Sequence, residues 1–203
     1  MSVFHEHEFE KSAYTIEKEG SMRANIIIHS ISGNLYIVAN TFKEKLIEKG
    51  IDAKLYRVED PDLHLAANLR NDVNEYYEDI MELPVITSSK LLKGDVILVG
   101  THAMFGMPTS EMKAFLDSTW PLYEKKELEG KLFYGFGSSS VSKTDGKNAV
   151  SGLYSWARMQ KMEYIPYTSY IHKSGVLMPN RPSQEIDEIA YSLADAILSI
   201  AEN

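Results

Sequence analysis

Apolar runs of strand length alternate along this chain with longer segments of helical period. Asn25-Ile26-Ile27-Ile28-His29 is continuous enough to predict a strand buried on both faces. A Ser/Gly/Asn turn at 30–34 follows. Residues 36–49 then carry helical spacing, with Gly50 as the natural stop. Residues 52–58 alternate as a second strand, which completes a βαβ unit. Residues 62–81 are charged and helix-compatible and supply the second crossover. Further strands are predicted at 95–100, 131–136 and 163–166, and further helices at 110–118, 146–160 and 183–201. The last helix sets Ile186, Ile189, Leu193, Ile197 and Ile200 on one stripe. Buried strands alternating with helices imply an α/β domain, a doubly wound parallel sheet with helices on both faces.

Residues 1–22 break this pattern. They are polar, lack a period, and read as an N-terminal extension, either an arm or a cloning remnant, ahead of a domain at 23–203. His5 and His7 flank Glu6, but zinc needs three or four placed ligands, so no metal is expected. The segment has no basic start or apolar stretch of a signal peptide, and no run in the chain is long enough to span a membrane. A cytoplasmic protein is expected. The net charge of −8 and the lack of a Lys/Arg stripe argue against nucleic acid. With no cysteine, disulfide exchange, thiolate catalysis and cysteine-ligated clusters are excluded. Any redox chemistry would need a bound organic cofactor.

In such a sheet, ligands bind where the strands end, beside the switch in strand order. Three loops fall there: 30–35, 101–107 and 137–142. Ser30-Ile31-Ser32-Gly33-Asn34-Leu35 brings hydroxyls and free amides to the positive end of a helix, an anion site without Lys or Arg. An ordinary capped turn would look the same. It is neither G-x-G-x-x-G nor a Walker loop. In the second loop, Gly106 beside Met104 and Phe105 would let backbone approach a flat ring, unless those side chains simply pack the core. His102 invites a general-acid role, though a structural one is the commoner use of a lone loop histidine. Ser138-Ser139-Ser140 offer donors to ring carbonyls, and the G-x-S-x-G nucleophile elbow is not satisfied. Trp120 and Tyr123 suit ring stacking as well as packing or oligomer contacts.

Together these blocks resemble a known family. Ser30-Ile31-Ser32-Gly33-Asn34 is similar to the phosphate loop of the flavodoxin superfamily, with Leu35 in place of its usual Thr or Ser. Gly100-Thr101, Phe105-Gly106, Met112, Phe115-Leu116-Asp117 and Gly130-Lys131-Leu132 resemble the tryptophan-repressor-binding-protein-like NAD(P)H:quinone oxidoreductases, over roughly residues 24–166. That resemblance implies a flavodoxin-like five-stranded sheet of order 2-1-3-4-5. It implies flavin mononucleotide (FMN) held by residues 30–35, by His102, Ala103, Met104, Phe105 and Gly106, and by Ser138, Ser139 and Ser140. NAD(P)H is then the donor and a quinone or similar small molecule the acceptor, with no side chain required as acid or base. A homo-oligomer, dimer or tetramer, is the usual assembly. The chain departs from the family at His102-Ala103-Met104, where Pro-Thr-Arg is usual, at Ser138-Ser139-Ser140-Val141, where Ser-Thr-Gly-Thr is usual, and at Gln160, where a histidine near the flavin is usual. The alternative is a flavodoxin-type electron carrier that serves a redox protein partner. A receiver-like signalling domain would need acidic residues that His29-Ser30 and Gly100-Thr101 do not supply.

Overall fold

Strand β1 (Arg23–His29) is buried at six of its seven residues, and consecutive side chains feed opposite faces of the sheet. Ile26 and Ile28 join one apolar cluster and Ile27 joins the other, as the two-residue strand period requires. The computed structural model describes residues 22–69, 75–173 and 183–201. The expected extension, with His5 and His7, lies outside the described residues except for Met22.

Helix α1 (Asn34–Glu48) leads to β2 (Asp52–Arg57), which pairs in parallel with β1. The crossover to β3 (Val96–Met104) contains three short helices, α2 (Leu63–Leu69), α3 (Tyr77–Glu82) and α4 (Ser88–Leu91). After β3 come β4 (Met107–Pro108), α5 (Ser110–Ser118) and α6 (Trp120–Lys125). The chain continues through β5 (Leu132–Ser139), α7 (Lys143–Met159), β6 (Glu163–Tyr164), β7 (Ile171–Lys173) and α8 (Gln184–Ala201). The sheet runs β2-β1-β3-β5-β6, which is the flavodoxin-like order expected.

Two details differ from expectation. Among the described residues the sheet has seven strands, because β4 folds back antiparallel on β3 and the fifth position is split between β6 and β7. The split has a local cause. Pro166 offers no amide to a ladder, and the buried Tyr134 hydroxyl holds the connecting segment instead. It donates to the Thr168 carbonyl at 3.1 Å and accepts from the Tyr170 amide at 2.9 Å. The other difference is length: β3 and β5 run through residues expected to be loop.

One face of the sheet is covered by α1 and α8, with Phe42 set edge-on to Phe136 at 5.1 Å and to Tyr134 at 6.0 Å. Burying a phenylalanine in this way contributes roughly 1.5–3 kcal/mol. On the other face, α5 and α7 supply Met112, Leu116, Val150 and Leu153. Among the described residues no helix is long and apolar enough to cross a membrane.

Candidate functional site

Where β1 ends, the chain turns through residues 30–33 into the 15-residue α1. Gly33 is the N-cap residue at φ +82°, and no side chain caps the helix there. The Ser30 hydroxyl accepts from the Tyr36 amide at 3.2 Å, and the Asn34 side-chain amide donates to the Ser32 hydroxyl at 3.3 Å. The Gly33 carbonyl accepts the Ile37 amide at 3.0 Å. By contrast, the backbone N–H groups of Ser32, Gly33 and Leu35 donate to no group among the described residues. The first turn of α1 carries no acidic side chain to neutralise its positive end. Free amides at an unneutralised helix terminus form an anion cradle. Leu35 contributes only its amide, since its side chain is buried in the core. The Tyr76 ring lies against Gly33, so that a Cβ at this position would run into it. Ile31, Ser32 and Asn34 stay partly exposed.

The second expected loop is instead the end of a strand and a hairpin. Thr101, His102, Ala103 and Met104 belong to β3, and Ala103 and Met104 pair with Pro108 and Met107 of β4. Phe105 at φ 53° and Gly106 at φ 72° form the two-residue tip. Successive left-handed residues suit a type I′ turn, whose twist matches that of the paired strands. Phe105 is 93% exposed, and Met104 and Met107 are exposed beside it. The hairpin base is tied by the Thr101 hydroxyl, which accepts the Thr109 amide at 3.3 Å.

The third loop begins later than expected, because Ser138 and Ser139 are the last residues of β5. Ser138 pairs with His102 in register, and its hydroxyl lies 3.0 Å from His102 Nδ1. The Ser139 hydroxyl accepts the amides of Val141 and Ser142 at 3.1 and 3.2 Å and donates to Asp145 at 3.0 Å. Its hydrogen-bonding capacity therefore goes to shaping residues 140–142. Ser140 is exposed. All three segments lie at the carboxyl edge of the sheet. Trp120, Tyr123 and Gln160 do not. They follow the carboxyl ends of α5 and α7, helices that run back toward the opposite edge. There the Gln160 amide donates to Thr119 Oγ1 at 3.0 Å, and so does the Trp156 indole at 2.9 Å.

Along α5 runs a groove of about 1060 Å³. Of the residues expected to hold FMN, only Ile31, Met104 and Phe105 line it. Two further groove residues escaped notice in the sequence. His29, the buried last residue of β1, sets Nε2 3.0 Å from Asp60 Oδ2. The hydrogen bond from this ring, with those from the Asp62 and Leu63 amides, holds the Asp60 carboxyl below the usual carboxylate range against the opposing effect of burial. A titratable residue closing an otherwise apolar strand was the available signal, although its partner 31 positions away was not visible. Among the described residues no cluster of three or more His, Asp or Glu could hold a metal ion.

The residues present fit FMN at two points. The cradle at 31–35 suits a phosphate dianion, and the exposed Met104–Phe105 edge suits a flat ring. Comparisons with known proteins agree with this fit. The family model described as NADPH-dependent FMN reductase matches residues 20–175. A probable NAD(P)H dehydrogenase (quinone) FQR1-like 2 of Arabidopsis thaliana is 30% identical over 107 residues, 52% of this chain and 38% of that protein. An NAD(P)H dehydrogenase (quinone) of Archaeoglobus fulgidus is 30% identical over 121 residues, 59% of this chain and 62% of that protein. The chain thus spans less than two thirds of the length of either relative. The crystal structure of a flavodoxin, WrbA-like protein from Agrobacterium tumefaciens superposes with a TM-score of 0.66 at 16% identity, over 90% of this chain and 100% of that one. At that identity the likeness is one of fold.

Proposed function

The chain belongs to the NADPH-dependent FMN reductase family, and from that premise we infer that it holds FMN and passes electrons from NAD(P)H to a quinone or similar small acceptor. The observation that carries this is the set of unpartnered amides at Ser32, Gly33 and Leu35 on the bare end of α1. Bound there, FMN would supply two-electron transfer that no side chain of this cysteine-free protein can perform. The chain's own part is to bind and orient. Amides and hydroxyls of 30–35 hold the phosphate, backbone at 102–106 and 138–140 faces the ring, and Met104 and Phe105 shield one edge from water. The match to a reductase family favours an enzyme over an electron carrier. Residues 23–203 then act as one cytoplasmic domain within a homo-oligomer.

The test is direct. Purified protein should be yellow and release FMN, and not FAD, on denaturation. Under anaerobic conditions NADPH or NADH should bleach the flavin band and a benzoquinone should restore it. Protein that takes up no added FMN would overturn the assignment. Protein that binds FMN but is not reduced by either nicotinamide would be a carrier.

A further inference from the structure

The groove beside Met104 and Phe105 contains a buried imidazole that cofactor binding leaves unused. The His29 side chain is only 4% exposed. Among the described residues its Nδ1 has no hydrogen-bond partner, and Glu111 Oε2 lies 3.8 Å from it. Two carboxylates therefore face the ring: Asp60 from the loop after β2, and Glu111 from the first turn of α5. They differ in how firmly they are held. Asp60 is 10% exposed and also accepts the Asp62 amide at 2.9 Å. Glu111 is 30% exposed, lines the groove, and accepts from the Ser110 hydroxyl through Oε1 at 3.0 Å. Asp62, Lys113 and Asp117 stand elsewhere on the groove wall, the last two paired with each other at 2.7 Å. A ring oriented by one fixed carboxylate, with its second nitrogen aimed at a carboxylate open to the groove, is arranged to hold and release a proton.

We propose that His29, oriented by Asp60, supplies through Glu111 the proton taken up by an acceptor's carbonyl oxygen when that acceptor is reduced in the groove. This rests on the function inferred above, which provides the reductant. With FMN bound, the cofactor would supply the acceptor with a hydride, that is two electrons and one proton. The second hydrogen arrives as a proton from the Glu111 carboxyl, forming an O–H bond on the acceptor. The Nδ1–H bond of His29 breaks to restore the Glu111 proton, and the ring regains its own from solvent. No protein group changes oxidation state. His29 and Asp60 are positioning residues, and Glu111 is the group that meets the acceptor.

The variant His29→Gln keeps a donor toward Asp60 but cannot carry a mobile proton. In anaerobic stopped flow, the FMN-loaded variant should be reduced by NAD(P)H at the wild-type rate, and its reoxidation by a benzoquinone should be roughly a hundredfold slower. Wild-type reoxidation should slow in deuterium oxide, and His29→Gln should lack that solvent isotope effect. Glu111→Gln should behave in the same way, with Glu111→Asp partly restoring the rate. A second readout needs no flavin: in ¹⁵N spectra of the flavin-free protein, Glu111→Gln should move the His29 Nδ1 resonance, and Asp60→Asn should move Nε2. Unchanged reoxidation with an unchanged solvent isotope effect in His29→Gln overturns the relay, as does an Nδ1 resonance blind to Glu111. Failure of the wild type to bind FMN or to accept electrons from NAD(P)H would instead sink the function inferred above, while the nitrogen spectra would still decide the His29–Glu111 contact.

Discussion

The two ends of the candidate cofactor site are built on opposite principles. At the phosphate end, the amides of Ser32, Gly33 and Leu35 in the turn at 30–35 donate to no group among the described residues. At the ring end, three side-chain hydroxyls are engaged within the protein: Ser138 with His102, Ser139 with Val141, Ser142 and Asp145, and Thr101 with Thr109. One end presents free donors to a ligand. The other presents shape, an exposed Met104–Phe105 edge on a hairpin whose strands pair at Ala103–Pro108 and Met104–Met107. Free amides near a surface cost little while water serves them, and a dianion then gains the full charge-assisted bond. A flat ring gains most from a rigid apolar edge.

The comparison can be broken most severely at Gly33. Gly33→Asp places a side chain at φ +82°, drives its Cβ into the Tyr76 ring, and sets a carboxylate beside the phosphate. FMN affinity should fall by at least a hundredfold, about 2.7 kcal/mol. Gly33→Ala separates strain from charge and should retain part of that affinity. Equilibrium dialysis against FMN, with circular dichroism as the folding control, gives the answer. Full retention in Gly33→Asp would place the anion elsewhere.

The next effect is at the ring end. Ser139→Ala orphans the amides of Val141 and Ser142 together with Asp145, so it should destabilise the fold by about 1–3 kcal/mol in urea titration. Here the damage should appear in stability first and in FMN affinity second, the reverse of Gly33→Asp. Equal losses of both in each variant would mean that the two ends are not built differently.

This contrast also explains what could be read from the sequence. The β-α alternation and the turn at 30–35 are legible because both are local, an apolar run, a glycine and a helix start, whereas the strand order follows only from the family resemblance. Ser138 and Ser139 were assigned to a loop because hydroxyls in a row look like turn chemistry. Their real setting depends on His102, 36 residues away, and on Asp145. The hairpin at 104–107 was hidden for another reason, since Phe at a left-handed position defies the usual Asn-Gly signal. Gln160 was matched to a flavin-side histidine by its place near the last strand, yet it caps α7 at the far edge. Distance along the chain limits the reading of Ser138, Ser139 and Gln160, while an atypical residue at a left-handed position limits that of the hairpin.

Asp60 joins the start of the crossover to the β1 end just before the phosphate turn, and it offers a smaller, pH-dependent test. Its carboxyl lies below the ordinary range chiefly through the bond from the His29 ring. A depressed carboxyl contributes stability that is complete above its unfolded value and is lost as pH falls through the folded one. Asp60→Asn should therefore cost about 1.5 kcal/mol at pH 7. The gap between variant and wild type should shrink as pH drops below about 4. A gap that persists undiminished in acid would show that the carboxylate charge is not what ties the crossover to β1.

The smallest expected effect is the sharpest discriminator between the two ends. Ser140 adjoins Ser139 but is exposed and accepts none of the bonds that shape the loop. Ser140→Ala should leave the urea midpoint within about 0.5 kcal/mol of wild type, as surface substitutions usually do. If residues 138–140 hold the ring through backbone donors, FMN affinity should change by less than about threefold, under 0.7 kcal/mol. If the Ser140 hydroxyl itself bonds a ring carbonyl, affinity should drop by about tenfold with stability untouched, near 1.4 kcal/mol. That second outcome would give the ring end a free donor of its own, and the division between an end that offers hydrogen bonds and an end that offers shape would no longer hold.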